Sequence, residues 1–146
     1  MSDFRQVSTS FWASPQIGLA DVAEAEARGF TLIVNNRPEG EADDQVPGAA
    51  IEAAARAAGV DYLAIPVSHA GFSEGQVEAM AEALAHTAGP VLAYCRSGTR
   101  STLLWSLAQA KAGRVPDEIA ADAARAGYDV APIRPLLEML AAGDQS

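Results

Sequence analysis

One cysteine, two histidines and a shortage of cations are what the chain has least of, and each scarcity removes a class of function. A lone cysteine, Cys95, cannot form an intramolecular disulfide or supply the two or more thiolates of a structural zinc site. Such usage fits the reducing cytoplasm, the expected compartment. No stretch approaches the ~18 apolar residues of a membrane-spanning helix, and MSDFRQVSTSFWASPQ lacks an apolar signal segment, so a chain that stays where it is made is expected. Ten Lys and Arg face nineteen Asp and Glu, a formal charge of −9. The averaged field repels phosphodiester backbones and anionic lipid, which argues against nucleic acid and membrane as partners. A small anionic substrate would have to be held by cations local to its site. No P-loop, dinucleotide fingerprint or helical metal pair is present, and no cofactor or metal is expected.

What remains is a chain of 146 residues, 49% apolar and 20% charged, a composition and length suited to a single domain over residues 1–146. Residues 4–8 and those around Phe11 and Trp12 suggest a short opening strand or hairpin. Leu19, Val22, Ala23 and Ala27 recur at helical spacing before Gly29, predicting a helix over about 18–28. Phe30 to Val34 reads as a buried strand that enters the loop NNRPEGEADDQVPG. A second helix through Ile51, Ala54, Ala55 and Ala58 ends at Gly59, and Val60 to Val67 reads as the next strand. Ser73 and Gln76 form a capping-box pattern ahead of a helix over about 73–87. Pro90 to Tyr94 is a central strand, followed by CRSGTRS and an apolar helix that runs to Gly113. Helices over about 116–125 and 131–141 complete the chain. Strands alternating with helices predict an α/β fold of three layers, a mostly parallel sheet of four or five strands covered on both faces.

Cys95 therefore lies just beyond a strand and just before a helix, where the free N–H groups of the first turn favour a thiolate. In CRSGTRS, Gly98 permits backbone geometry closed to other residues, so successive amides of Ser97, Gly98, Thr99 and Ser101 can converge on an anion. Arg100 and Arg96 add charge. Trp12 and Trp105 read as core or rim aromatics and Tyr94 as a packing residue.

CRSGTRS resembles the active-site loops of two cysteine enzyme classes, the rhodanese sulfurtransferases and the tyrosine or dual-specificity phosphatases. The Ser-Pro-Gln-Ile stretch, TLIVNNRPEGE, YLAIPV, VLAYCRSGTRS and a late AGYDV together resemble the beta-lactamase-hydrolase-like family, over roughly residues 4–140. That family comprises bacterial domains described variously as phosphatases and as sulfurtransferases, and the resemblance implies a dual-specificity-phosphatase-like fold.

Two features rank the reactions. Cys95 to Arg100 is C-x4-R, one residue shorter than the C-x5-R of phosphatases, and a tighter loop suits one sulfur atom better than a tetrahedral phosphoryl group. The stretch Ser68-His69-Ala70-Gly71-Phe72-Ser73-Glu74 holds no aspartate to protonate a leaving alkoxide; His69 is the nearest replacement. The expectation is thus a sulfurtransferase in which Cys95 takes sulfur from a small anionic donor such as thiosulfate, or from a persulfide, and passes it to a thiol, sulfite or cyanide acceptor. Arg100 would bind the donor and Arg96 steer it. The alternatives are a phosphatase acting on a phosphate ester through a phosphocysteine, and an inactive anion-binding module. Arg37, beyond the end of a strand, either joins the anion site or pairs with neighbouring acids. Oligomeric state is left open.

Overall fold

The computed structural model describes residues 2–143. A five-stranded sheet in the order β1-β2-β5-β3-β4 is built from β1 (Arg5–Ser8), β2 (Phe11–Ser14), β3 (Leu32–Asn35), β4 (Asp61–Ala64) and β5 (Val91–Tyr94). The last four are mutually parallel, and only β1, joined to β2 as a hairpin, runs antiparallel. The central strand, β5, is buried at every position, which is why its sequence is continuously apolar rather than alternating.

The period-two alternation of the strands sorts the core into two layers. Ile33, Leu92 and Tyr94 face one side with Ile17, Val22, Ala25, Ile51 and Ala55, where α1 (Leu19–Ala27) and α2 (Gly48–Ala57) pack. Phe11, Ala13, Leu32, Val34, Val91 and Ala93 face the other, under α3 (Glu74–His86), α4 (Thr99–Lys111), α5 (Pro116–Arg125) and α6 (Arg134–Gly143). Trp105 stacks on Phe11 with ring centroids 5.6 Å apart, while Trp12 meets Phe30 edge-on on the opposite face. α4 is buried around most of its circumference because it is sandwiched between the sheet and other helices; Leu104, Leu107 and Ala110 are fully buried, and so are the hydroxyl-bearing Ser101, Thr102 and Ser106.

Ser73 caps α3 as its spacing predicts, accepting from the Gln76 N–H while Gln76 Oε1 accepts from the Ser73 N–H. Two expected boundaries move. The strand predicted to run from Val60 to Val67 ends at Ala64, because its partner, β3, ends at Asn35; Ile65 and Val67 then donate singly to Asn35 and Asn36 carbonyls. The helix expected over 131–141 begins as a 3-10 turn at Ala131–Ile133, with Pro135 unable to donate the bond to Ala131 that an α-helix would need, and α6 proper starts at Arg134. No helix among the described residues is long and apolar enough to cross a membrane.

The carboxyl ends of β2, β5, β3 and β4 all point to one edge of the sheet, so residues after Ser14, Tyr94, Asn35 and Ala64 are delivered to a common place. Stability rests on the α4 layer beneath it. Leu107→Ala is expected to cost about 2–5 kcal/mol, whereas Met139→Ala, on a side chain 62% exposed, should stay within about 0.5 kcal/mol; urea denaturation of the two variants checks the contrast.

Candidate active site

Cys95 follows the central strand directly, and the chain then turns sharply into α4. Gly98 makes the turn possible: it is the N-terminal cap of α4 with φ of +91°, a left-handed conformation that glycine adopts without steric cost. In this conformation the Gly98 N–H donates to Cys95 Sγ at 3.0 Å. Thr102 fixes the next peptide, its N–H and its hydroxyl both donating to the Gly98 carbonyl at 3.0 and 2.9 Å. Neighbouring strand ends brace the loop, with Gln16 N–H donating to the Arg96 carbonyl and Asn36 N–H to that of Tyr94. Cys95 itself has no exposed surface.

The remaining loop residues divide by position. Arg96, Ser97 and Thr99 are exposed. Ser97 Oγ donates to Thr99 Oγ1 at 2.9 Å, so these hydroxyls serve the outer edge of the loop. Ser101 is fully buried in the first turn of α4, and its hydroxyl has no hydrogen-bond partner among the described residues.

Arg100, expected to bind an anionic donor, has part of its guanidinium fork already engaged. Glu41 takes it in a bidentate pair, NH1 to Oε2 at 2.7 Å and NH2 to Oε1 at 2.8 Å, and NH1 also donates to the Val67 carbonyl at 2.6 Å. The same Glu41 accepts from Arg37 Nε at 2.9 Å, and Arg37 NH1 donates to Gln16 Oε1 at 2.9 Å. Arg37 is thus paired with a neighbouring acid, one of the two outcomes its position allows, and the same acid binds Arg100. Two arginines share one carboxylate, so the cluster keeps a net positive charge inside a chain of charge −9. The Arg100 pair, helped by Arg37 and opposed by burial, holds the Glu41 carboxyl well below its ordinary range, at about 2. Arg100 is in turn raised by its bond to Glu41, against burial, with Cys95 adding in the same direction.

Glu41 stays in place because its loop is stapled. Gln45 Oε1 accepts from the Glu41 and Ala42 amides while its Nε2 donates to the Pro38 carbonyl, and Glu39 Oε1 accepts from the Gly48 N–H at the start of α2. Asn35 Oδ1 accepts from the Arg37 N–H, and Asn36 Nδ2 donates to the Ile65 carbonyl. His69 stands outside this network, 84% exposed, with Nε2 3.9 Å from Glu41 Oε2. Glu74 belongs to the first turn of α3. No local spacing marks Glu41, Gln16, Gln45 or Tyr128 as part of a site. Gln16, Glu41 and Tyr128 lie in the SPQI, NNRPEGE and AGYDV blocks, whereas Gln45 lies in none of them.

An apolar groove of about 330 Å³ between α3, α4 and α6 is lined by Phe72, Val77, Leu136 and Met139 and by none of the Cys95-loop residues.

Residues 3–112 match the family described as beta-lactamase hydrolase-like protein, phosphatase-like domain. A beta-lactamase hydrolase-like protein of Agrobacterium fabrum is 40% identical over 97 residues, 66% of this chain and 22% of that protein, so the match spans under a quarter of the relative's length. A crystal structure of a provisionally named phosphatase from Neisseria meningitidis superposes with a TM-score of 0.83 at 31% identity, covering 96% of this chain and 99% of that one. A kinase-associated phosphatase with its catalytic cysteine substituted by serine gives a TM-score of 0.75 at 14% identity over 100% of this chain and 96% of that one, a likeness of fold alone. The fold is that of the cysteine-based tyrosine and dual-specificity phosphatases, as the sequence led one to expect. The comparisons support the phosphatase alternative; none of them supports the preference for sulfur transfer.

Because Glu41 has its carboxyl depressed in the folded state, its stabilising contribution is present above its ordinary value of 4.5 and is lost as pH falls toward about 2. Glu41→Gln should accordingly be less stable than the parent at neutral pH, with the gap narrowing through that acid window; urea midpoints across a pH series measure it.

Proposed function

The chain belongs to the phosphatase-like domain family of the beta-lactamase hydrolase-like proteins, and on that premise we propose that it is a cysteine-dependent phosphatase acting on phosphate monoesters. The observation that carries the reading is the Gly98 amide directed at Cys95 Sγ at 3.0 Å from the turn between β5 and α4, with Arg100 beside it. Cys95 thiolate attacks phosphorus, forming an S–P bond as the P–O bond to the leaving alcohol or phenol breaks. Water then attacks the phosphocysteine, forming a new P–O bond and releasing the thiolate with inorganic phosphate. Charge on the phosphoryl oxygens is met by the loop amides and by the N–H groups of Arg100 that Glu41 and Val67 leave free, with Arg96 at the rim. Glu41 and Val67 hold the guanidinium in one orientation, so its donors are preorganised.

The leaving group sets the substrate class. No aspartate occupies the segment after β4, and His69 is solvent-exposed, with Nε2 3.9 Å from Glu41 Oε2. Without a strong general acid, esters of phenols, which leave as stable anions, are favoured over esters of aliphatic alcohols.

Sulfur transfer remains as a second reading on one observation, the C-x4-R spacing that makes this loop a residue shorter than the phosphatase pattern. The two are separated by mass spectrometry of protein quenched during turnover of an aryl phosphate and, separately, after exposure to thiosulfate. The proposal expects a phosphoryl adduct on Cys95 and release of the phenol; an added sulfur atom with no phenol release would instead favour the second reading.

Cys95→Ser should abolish aryl phosphate turnover, and Arg100→Lys, which keeps charge but loses the planar fork, should lower kcat/KM by at least ~10-fold. Steady-state assays of both variants check this, and full activity in Cys95→Ser would refute the mechanism.

A further inference from the structure

The orientation of one peptide group decides whether the Cys95 loop can stabilise an anion. The unit joining Ser97 to Gly98 carries both the Ser97 carbonyl and the Gly98 N–H, and in a trans peptide these two point in opposite directions. Its N–H is the group on Cys95 Sγ. Its carbonyl accepts from the Tyr128 hydroxyl at 3.2 Å. We infer that Tyr128 is a positioning residue for the nucleophile, a latch that pins the Ser97 carbonyl away from the sulfur and thereby aims the Gly98 amide at it.

Several features make the contact a built one. A Cβ added to Gly98 would lie 2.2 Å from the Tyr128 oxygen and 3.3 Å from the Ser14 carbonyl carbon, so the glycine is wedged between the phenol and the end of β2. Any side chain at position 98 would expel the latch. Tyr128 is itself fixed from behind. Gly127, with φ of +94°, closes the C-terminal turn of α5, and the Tyr128 N–H donates to the Ala123 carbonyl at 3.0 Å. The Tyr128 ring is 7% exposed, and the Arg5 guanidinium lies 5.5 Å from its centroid. With Thr102 holding the Gly98 carbonyl, both peptides that flank Gly98 are restrained, one by α4 itself and the other by a residue 31 positions away.

The sign of the effect follows from electrostatics. A reversed 97–98 peptide would turn a carbonyl oxygen, instead of an N–H, toward the sulfur and the anion bound there, replacing an attractive dipole with a repulsive one. Tyr128 lies outside residues 3–112, the part of the chain that the family match covers, so this latch is supplied by the α5–α6 segment rather than by the matched region.

Tyr128→Phe keeps the ring and removes only the hydroxyl, and amide hydrogen exchange followed by NMR reads the result without any substrate. The Gly98 amide is expected to exchange at least ~5-fold faster in the variant, the loss of one ordinary hydrogen bond, while the amide of Leu107, in the buried middle of α4, keeps its parent rate. Equal acceleration at both amides would mean a general loss of stability and would overturn the latch, as would an unchanged Gly98. The kinetic arm rests on the phosphatase reading: kcat for an aryl phosphate should fall roughly 3- to 10-fold with KM within about twofold. If the parent protein turns over no phosphate ester, that reading fails while the exchange measurement still decides the role of Tyr128.

Discussion

The turn from β5 into α4 is the constraint on which the rest of the molecule depends. A buried central strand must hand the chain to a buried helix within a few residues, and the left-handed Gly98 is what allows it. Cys95 is placed at the base of that turn, at the carboxyl edge of the sheet, with an amide on its sulfur. The two core layers exist to make this geometry rigid: β2 and β3 flank the strand, the six helices cover both faces, and the fully buried Leu104 and Leu107 fix α4 against the sheet.

Electrostatics then supplies what geometry alone cannot. In a chain with nine excess negative charges, an anion site survives only if its cations are gathered and held. Glu41 does the gathering, drawing Arg37 from the end of β3 and Arg100 from the first turn of α4 onto one carboxylate. The arrangement costs one negative charge beside the site and in return fixes the direction of the Arg100 fork. Gln45 and Glu39 hold the loop that makes this possible, which explains why NNRPEGEADDQVPG contains so many polar side chains yet folds back on the body of the domain.

Elements whose signals act within a few residues are legible in the sequence, and pairings between distant residues are not. The capping box at Ser73 and Gln76, the apolar run of β5 and the glycines that close α1, α2 and α4 act within a few residues, and each of those elements lies where its pattern indicates. Cys95, Gly98 and Arg100 were recognisable because their chemistry is compressed into six positions. Glu41 was not, since its partner is 59 residues away and an acidic loop ordinarily belongs in water. Tyr128 was not, because only the folded chain brings the end of α5 against Ser97. Loop length and the missing aspartate favour sulfur transfer in the sequence, while the family match and the likeness to a Neisseria meningitidis protein named as a phosphatase favour the other alternative.

Soaking or co-crystallising the protein with orthovanadate, a mimic of a phosphoryl group under attack, would test the central claim most directly. The account predicts vanadium bonded to Cys95 Sγ, with its oxygens within hydrogen-bonding distance of the Gly98 amide and the Arg100 guanidinium. Vanadate bound elsewhere, or a Cys95 loop whose amides turn away from the ion, would contradict it.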